Sequence, residues 1–290
     1  MSEGYLEETI DPLEQDPAAE RLNYAIGQML DAGDLRDEQT YHRARLARLA
    51  KYLLGHGTLA GLRVTGPDGE DAELHLTVQP GVALDRYGRL VEISSPQCIR
   101  LARWFDDRGD AELNAASHSE PRVPKDDMIV ADLFLSAHSC GAAKTPAFAT
   151  GPFDALDAVV SSRLAERGSL ELVLRQEGGP DPIPEPANHW PGGGSAEEQL
   201  RSVLASWDEG TANRTSDGPN AFAEHVAGHD PAAIFLARIF LPIKPPSAPE
   251  TRPRLQMSKP VIVDNSKRPF IFFPGKWFGR EIDPQPLVQP

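Results

Sequence analysis

The run LLGHGTLAGLRV, residues 53–64, joins two hydrophobic periods that no single element can carry. Before it, His42, Leu46, Leu49 and Leu53 recur at i, i+4, i+7 and i+11, with Leu35 seven residues ahead. That is one stripe of an amphipathic helix. After it the period drops to two. Residues 59–66 lead to a turn at Asp68-Gly69, and residues 72–79 return with Leu74, Leu76 and Val78 on one face. A helix must therefore become a strand within a few residues. Gly55 stands where a helix C′ residue takes the left-handed conformation, and Gly57 lets the chain leave again at once, with Gly61 just beyond. This spacing predicts a helix over 32–54, fixed over a small antiparallel sheet. Asp31 or Asp34 can cap it, and Asp37 and Glu38 lie in its first turns, where the helix dipole favours negative charge.

A second hairpin, residues 80–93, contains Gly81 and turns between Asp85 and Gly88. Residues 105–126 read as polar and irregular. Residues 127–138, 169–176 and 232–243 read as buried strands, with shorter candidates at 259–265 and 268–273, and residues 154–168 read as a short helix. With 27 prolines and 24 glycines the chain is too rich in breakers to be mainly helical. The expected class is α+β, mostly β: a sandwich-like antiparallel core, one long N-terminal amphipathic helix and a loop-rich insertion. The expected divisions are an acidic arm (1–30), extended over 1–20, helix plus core (31–177), a Gly/Pro-rich insertion holding one helix at 195–207 (178–230), returning strands (231–268) and an aromatic, Pro-rich tail (269–290).

A net charge of −14 opposes broad binding to nucleic acid or anionic lipid, which needs clustered Lys and Arg. Two cysteines, Cys98 and Cys140, are too few for a disulfide framework and suit a reducing compartment. The acidic N-terminus has no apolar core of a signal peptide and no stretch reaches 18 apolar residues, so a cytoplasmic chain is expected.

Candidate chemistry is sparse. His225 and His229 have the i, i+4 spacing of a metal-binding helix, but the glutamate of a zinc protease would fall at Val226, and Gly228 weakens the helix, so a solvated loop is expected. His138 and Cys140 could ligate as strand neighbours but lack a second pair. No nucleophile elbow or dinucleotide fingerprint occurs. No catalytic residue, metal or cofactor is expected.

Two stretches point to contacts instead. Arg36, Arg43, Arg45, Arg48 and Lys51 crowd one helix of an acidic chain. They form either a solvated face or a docking face for an acidic surface, on the chain's own arm or on a neighbouring subunit, with Arg45 and Arg48 as candidate contacts. Near the C-terminus, Phe270, Phe272, Phe273, Trp277 and Phe278 fall within nine residues, although aromatics are only 7% of the chain. They either enter the chain's own core or anchor a partner, for example by adding a strand to its sheet edge.

Residues 23–64 and 78–93 resemble an uncharacterised family of baseplate- or tail-associated proteins encoded in gene clusters for phage-tail-like contractile injection systems. The matching positions in the first stretch include Asn23, Tyr24, Gly27, Asp34, Glu38, Gln39, Tyr41, Arg45, Leu46, Gly55, Gly57, Gly61, Leu62 and Val64. Pro80, Gly81, Ala83, Asp85, Gly88 and Arg89 continue the pattern, and IVADLFLS, SSRLAERGSLELVLR and IFLARIFLP followed by VDNSKRP agree with later parts of it. Gly33 replaces a usual acid and Ala60 a frequent Cys. The resemblance implies a non-enzymatic structural component of the particle, at its baseplate or a baseplate extension. It also implies several copies per particle, other baseplate, spike and tail proteins as partners, no nucleic acid, and indirect contact with a target membrane. On that reading the chain is made in the cytoplasm and is assembled into, released with or docked with the particle. Two alternatives compete: a receptor- or glycan-binding tail-fibre module using Trp104, Trp190 or Trp207, and a metal-dependent hydrolase using His225 and His229.

Overall fold

The structure is a computed structural model that describes residues 10–67, 74–124, 126–146, 159–178, 181–186, 214–215, 218–244, 251–256 and 258–271. Its class is α+β, mostly β, with antiparallel sheets and one long N-terminal helix.

That helix, α1, spans Ala32–Leu54. Asp31 caps it: its carboxylate accepts from the Gly33 and Asp34 amides at 2.6 and 3.0 Å, and Asp34 accepts from the Asp31 amide at 2.9 Å. This reciprocal box satisfies amides that the first turn leaves orphaned, and the backbone bonds hold the Asp31 carboxyl below its ordinary value. The helix stops at Gly55, whose amide donates to the Lys51 carbonyl at 3.0 Å. Gly55 has φ 78 and ψ −139, a mirror-β conformation rather than the expected left-handed one, and one that glycine alone adopts without strain.

The strand expected over 59–66 is two. β1 (Gly57–Gly61) and β2 (Val64–Thr65) flank Leu62, which has φ 57 and is fully buried, so the chain passes from one sheet to another there. β3 (His75–Val78), β4 (Gly81–Leu84), β5 (Leu90–Ile93) and β6 (Gln97–Arg100) complete two three-stranded sheets, ordered β1-β4-β5 and β2-β3-β6. The Asp68-Gly69 turn lies outside the described residues. The stretch expected to be irregular forms α2 (Leu101–Asp106), α3 (Asp110–Ala115) and β7 (Ser117–His118), with Phe105 and Leu113 buried.

β8 (Met128–Pro146) and β9 (Val159–Leu174) make a long hairpin, paired from Ala131 with Leu174 out to Pro146 with Val159. The helix expected within 154–168 is therefore strand from Val159 on. Cross-strand pairing decides here, because local helix propensity is only a weak prior. β10 (Arg214–Thr215) and β11 (Gly218–Pro219) form a minimal pair. β12 (Ile234–Lys244) pairs with β8 on one edge and with β13 (Arg254–Leu255) and β14 (Ile262–Asp264) on the other.

Ile129, Leu133 and Leu135 of β8 and Ile239 and Leu241 of β12 project from one face of this sheet. They pack with Leu62, Leu76, Val78 and Ile93 of the two small sheets, giving the sandwich-like core. On the opposite face, Asp132 lies directly across from Arg238. Arg238 donates to both Asp132 oxygens, Nε at 2.7 Å and Nη2 at 2.9 Å, in a wholly buried bidentate pair, with Arg175 3.5 Å from the same carboxylate.

Two of the expected segments are tied to the rest of the fold. The arm is not extended throughout: Pro12–Gln15 form a 3₁₀ turn capped by Asp11, which seats Leu13 against Ala44 and Ala47 of α1. The insertion is anchored at both ends, through Ile183, buried beside Val130 and Phe240, and through a turn region around His225. Its expected helix at 195–207 lies outside the described residues.

Candidate assembly surfaces

The glycine junction is a backbone-to-backbone seam. Gly61 pairs with Gly81 across β1 and β4, and a Cβ on either would collide with the other strand's backbone. At Gly57 (φ 132) an added Cβ would lie 2.7 Å from the Pro269 carbonyl oxygen. That carbonyl accepts from the Thr58 amide at 2.9 Å, and the Ile271 amide returns a bond to Thr58 O at 2.9 Å, so residues 269–271 lie beside β1. Gly88 (φ 86), at the β4–β5 turn, abuts Ala47 of α1.

VDNSKRP supplies the clasp. Asn265 acts as a strand partner for Val64: its Oδ1 accepts from the Val64 amide at 3.2 Å and its Nδ2 donates to the Val64 carbonyl at 3.0 Å. Arg268, buried, donates to the carbonyls of Leu236 at 2.7 Å and Gly61 at 3.3 Å. Burial pushes its guanidinium down to about 10. No sequence period marks Asn265 or Arg268, because they act on backbone far along the chain, 201 residues away for Asn265 and 32 and 207 for Arg268; the matching motif was the only signal.

The basic helix face is largely claimed by the chain's own arm. Arg43 grips Asp11 with two bonds, at 2.8 and 3.2 Å, and reaches Glu166 of β9 at 2.8 Å. Arg48 donates to Asp16 at 3.1 Å and to the Pro17 carbonyl at 2.8 Å. Arg45 is exposed. Buried Arg89 bonds Asp85 at 2.6 Å and also Glu14, tying the arm to the hairpin turn, while burial raises the Asp85 carboxyl. The cleft of about 220 Å³ among Ile10, Asp11, Glu14, Arg89 and residues 137–139 of β8 is thus lined by charged side chains already engaged in ion pairs within the chain.

With the inner face of α1 made of Ala44 and Ala47, its leucine stripe points outward. Leu35, Leu46, Leu49 and Leu53 are each more than half exposed, at 51, 68, 61 and 60%. This departs from the usual packing of an amphipathic helix, whose apolar face covers its own core.

The outer half of the β8–β9 hairpin is similarly uncovered. From Cys140 to Pro146 and from Val159 to Glu166 the two strands pair only with each other among the described residues, and Val159, Val160 and Leu164 are exposed.

Other candidates turn inward. His225 and His229 do not form a helix face in a solvated loop; they stack on each other (5.5 Å) and on Phe134 (5.4 and 4.4 Å). His225 Nε2 bonds the Ala233 carbonyl at 3.0 Å, and burial pushes its imidazole down to about 4. His229 is lowered too, again by burial, with Glu171 3.5 Å away. Among the described residues no three His, Cys, Asp or Glu side chains gather as a metal site. Trp104 is not a free platform: it packs against the core and its Nε1 donates to the Leu172 carbonyl at 3.2 Å. Phe270 is 40% exposed beside Thr58, whereas Phe272, Phe273, Trp277, Phe278, Trp190 and Trp207 lie outside the described residues. No helix among the described residues is long and apolar enough to cross a membrane.

No family model matches the chain, and no curated protein matches it.

Proposed function

We propose that this chain is an architectural subunit of a contractile injection particle, placed at the baseplate or a baseplate extension. The observation that carries the architectural role is the outer β8–β9 ribbon. A two-stranded ribbon is marginally stable alone in water, and this one exposes Val159, Val160 and Leu164 with unpaired edges among the described residues. Such a ribbon suits docking on a neighbouring protein or strand addition to its sheet. The outward leucines of α1 add a second surface of the same kind. Placement in an injection particle rests on the resemblance of residues 23–64 and 78–93 and of VDNSKRP, which here forms the clasp on the glycine junction.

The test is to purify injection particles from the source cells with and without this gene. The chain is expected to co-purify, and particles lacking it are expected to have an incomplete baseplate. A Val160→Asp/Leu164→Asp variant should fold yet be lost from particles. Particles that look and fire normally without the chain, or catalytic turnover by the purified protein, would overturn the proposal.

A further inference from the structure

The outward seam of α1 has the spacing of a coiled coil. Leu35, Gln39, His42, Leu46, Leu49 and Leu53 succeed one another at intervals of 4, 3, 4, 3 and 4, and all six are exposed. Those are the a and d positions of a heptad, the knobs that insert between four residues of a facing helix. The positions turned to the protein's own body carry small Ala44 and Ala47 instead. Four exposed leucines aligned on one seam, rather than scattered singly, mark a surface suited to a partner.

We propose that α1 pairs, antiparallel, with α1 of a second copy of this chain. Charge selects both the occupant and the direction. The acids of α1, Asp34, Asp37 and Glu38, lie in its first turns with one base, Arg36, while Arg43, Arg45, Arg48 and Lys51 follow from its midpoint on, Arg43 and Arg48 being already engaged by the chain's own arm. A parallel pair would set acid beside acid and base beside base. An antiparallel pair sets each acidic end beside the basic end of the other copy and also opposes the two helix dipoles. One register uses the whole seam: Leu35 opposite Leu53 of the second copy, Gln39 opposite Leu49, His42 opposite Leu46, and the same three layers repeated by symmetry. Asp37 then stands level with Lys51. The contact is isologous and closes as a twofold dimer. The 272–290 tail is a poorer occupant for this spacing, since its prolines at 274, 284, 286 and 290 oppose a long helix.

The inference deepens the architectural reading by naming one partner, and it is tested on the purified chain without any particle. Sedimentation of the full chain across micromolar concentrations should show a monomer–dimer equilibrium. Leu46→Glu/Leu49→Glu should weaken it by about 100-fold or more while leaving the far-ultraviolet spectrum unchanged. In a Cys98→Ser/Cys140→Ser background, a mixture of Leu35→Cys and Leu53→Cys chains should form the mixed disulfide in preference to either homodisulfide. A monomer throughout, a dimer indifferent to the glutamates, or preferential homodisulfides would each overturn the proposal. So would a dimer that appears only on truncation after Ile271, since the tail would then be the occupant. Failure here leaves incorporation into particles, a separate readout, untouched.

Discussion

Gly88 lies against the backbone of Ala47, so close that a Cβ on the glycine would collide with the Ala47 carbonyl. This contact sets the distance between the β4–β5 turn and α1, and the arm braces it from the side through Arg43 and Arg89. Gly88 also has φ 86, where an L side chain is strained. Gly88→Ala combines a steric clash with an unfavourable backbone, so it should destabilise the fold by about 2 kcal/mol or more in urea unfolding. A loss below about 0.5 kcal/mol, the scale of an ordinary surface change, would show that helix and turn are not held by this contact.

Asn265→Ala removes both bonds to the Val64 backbone and the acceptor that Arg268 uses. Partly buried backbone groups are left without a partner, and the expected loss is about 2–3 kcal/mol. Hydrogen exchange should rise first at Val64, ahead of the β8–β12 pairing. Uniform acceleration of all amides would show that the clasp is not a local unit.

Asp132→Ala strands the Arg238 guanidinium beneath the sheet and should cost about 3–5 kcal/mol. Replacing both partners, as in Asp132→Val/Arg238→Leu, should recover much of that loss, because the unpaired buried charge is gone. The double variant will not recover all of it, since Arg238 also donates to the Ile183 carbonyl at 3.2 Å and buried Arg175 loses the Asp132 carboxylate 3.5 Å away. A double variant no more stable than Asp132→Ala would refute the charge explanation.

The His225 imidazole, near 6.5 when unfolded and about 4 when folded, takes up a proton more readily in the unfolded chain. Its contribution is full above about pH 6.5 and is lost as pH falls toward 4, on the order of 3 kcal/mol in total. Burial lowers His229 as well, which acts with the same sign, whereas the raised Glu224 carboxyl acts with the opposite sign. The cleanest readout is therefore a difference. His225→Phe keeps a ring on Phe134, and its stability should fall less steeply than that of the wild type between about pH 7 and pH 5. Identical slopes would exclude His225 as the titrating group.

The local elements were largely legible in the sequence. The bounds of α1 follow from Asp31 and Gly55, the β4–β5 turn from Asp85 and Gly88, and β12 and the first part of β8, as far as His138, from their apolar runs, because capping, turn chemistry and periodicity act between residues near in sequence. Strand rather than helix over residues 159–168 was not legible, since it depends on a register with β8 that local composition does not encode. The inward stacking of His225 and His229 depends in the same way on Phe134, some 90 residues earlier. The candidate surfaces divided along the same line. The leucine stripe and the arginines of α1 could be read as faces of a helix, but which face turned outward could not.

Sequence alone determined that a long capped helix would break at glycine into an antiparallel, mostly β fold. Only the tertiary structure decided that the helix lies with its alanines inward and its leucines outward. An isolated amphipathic period fixes two faces but not their direction. Here direction was set by the close approach of Gly88 to Ala47 and by the ion pairs from Asp11 to Arg43 and Asp16 to Arg48, which bring together segments that local sequence cannot align.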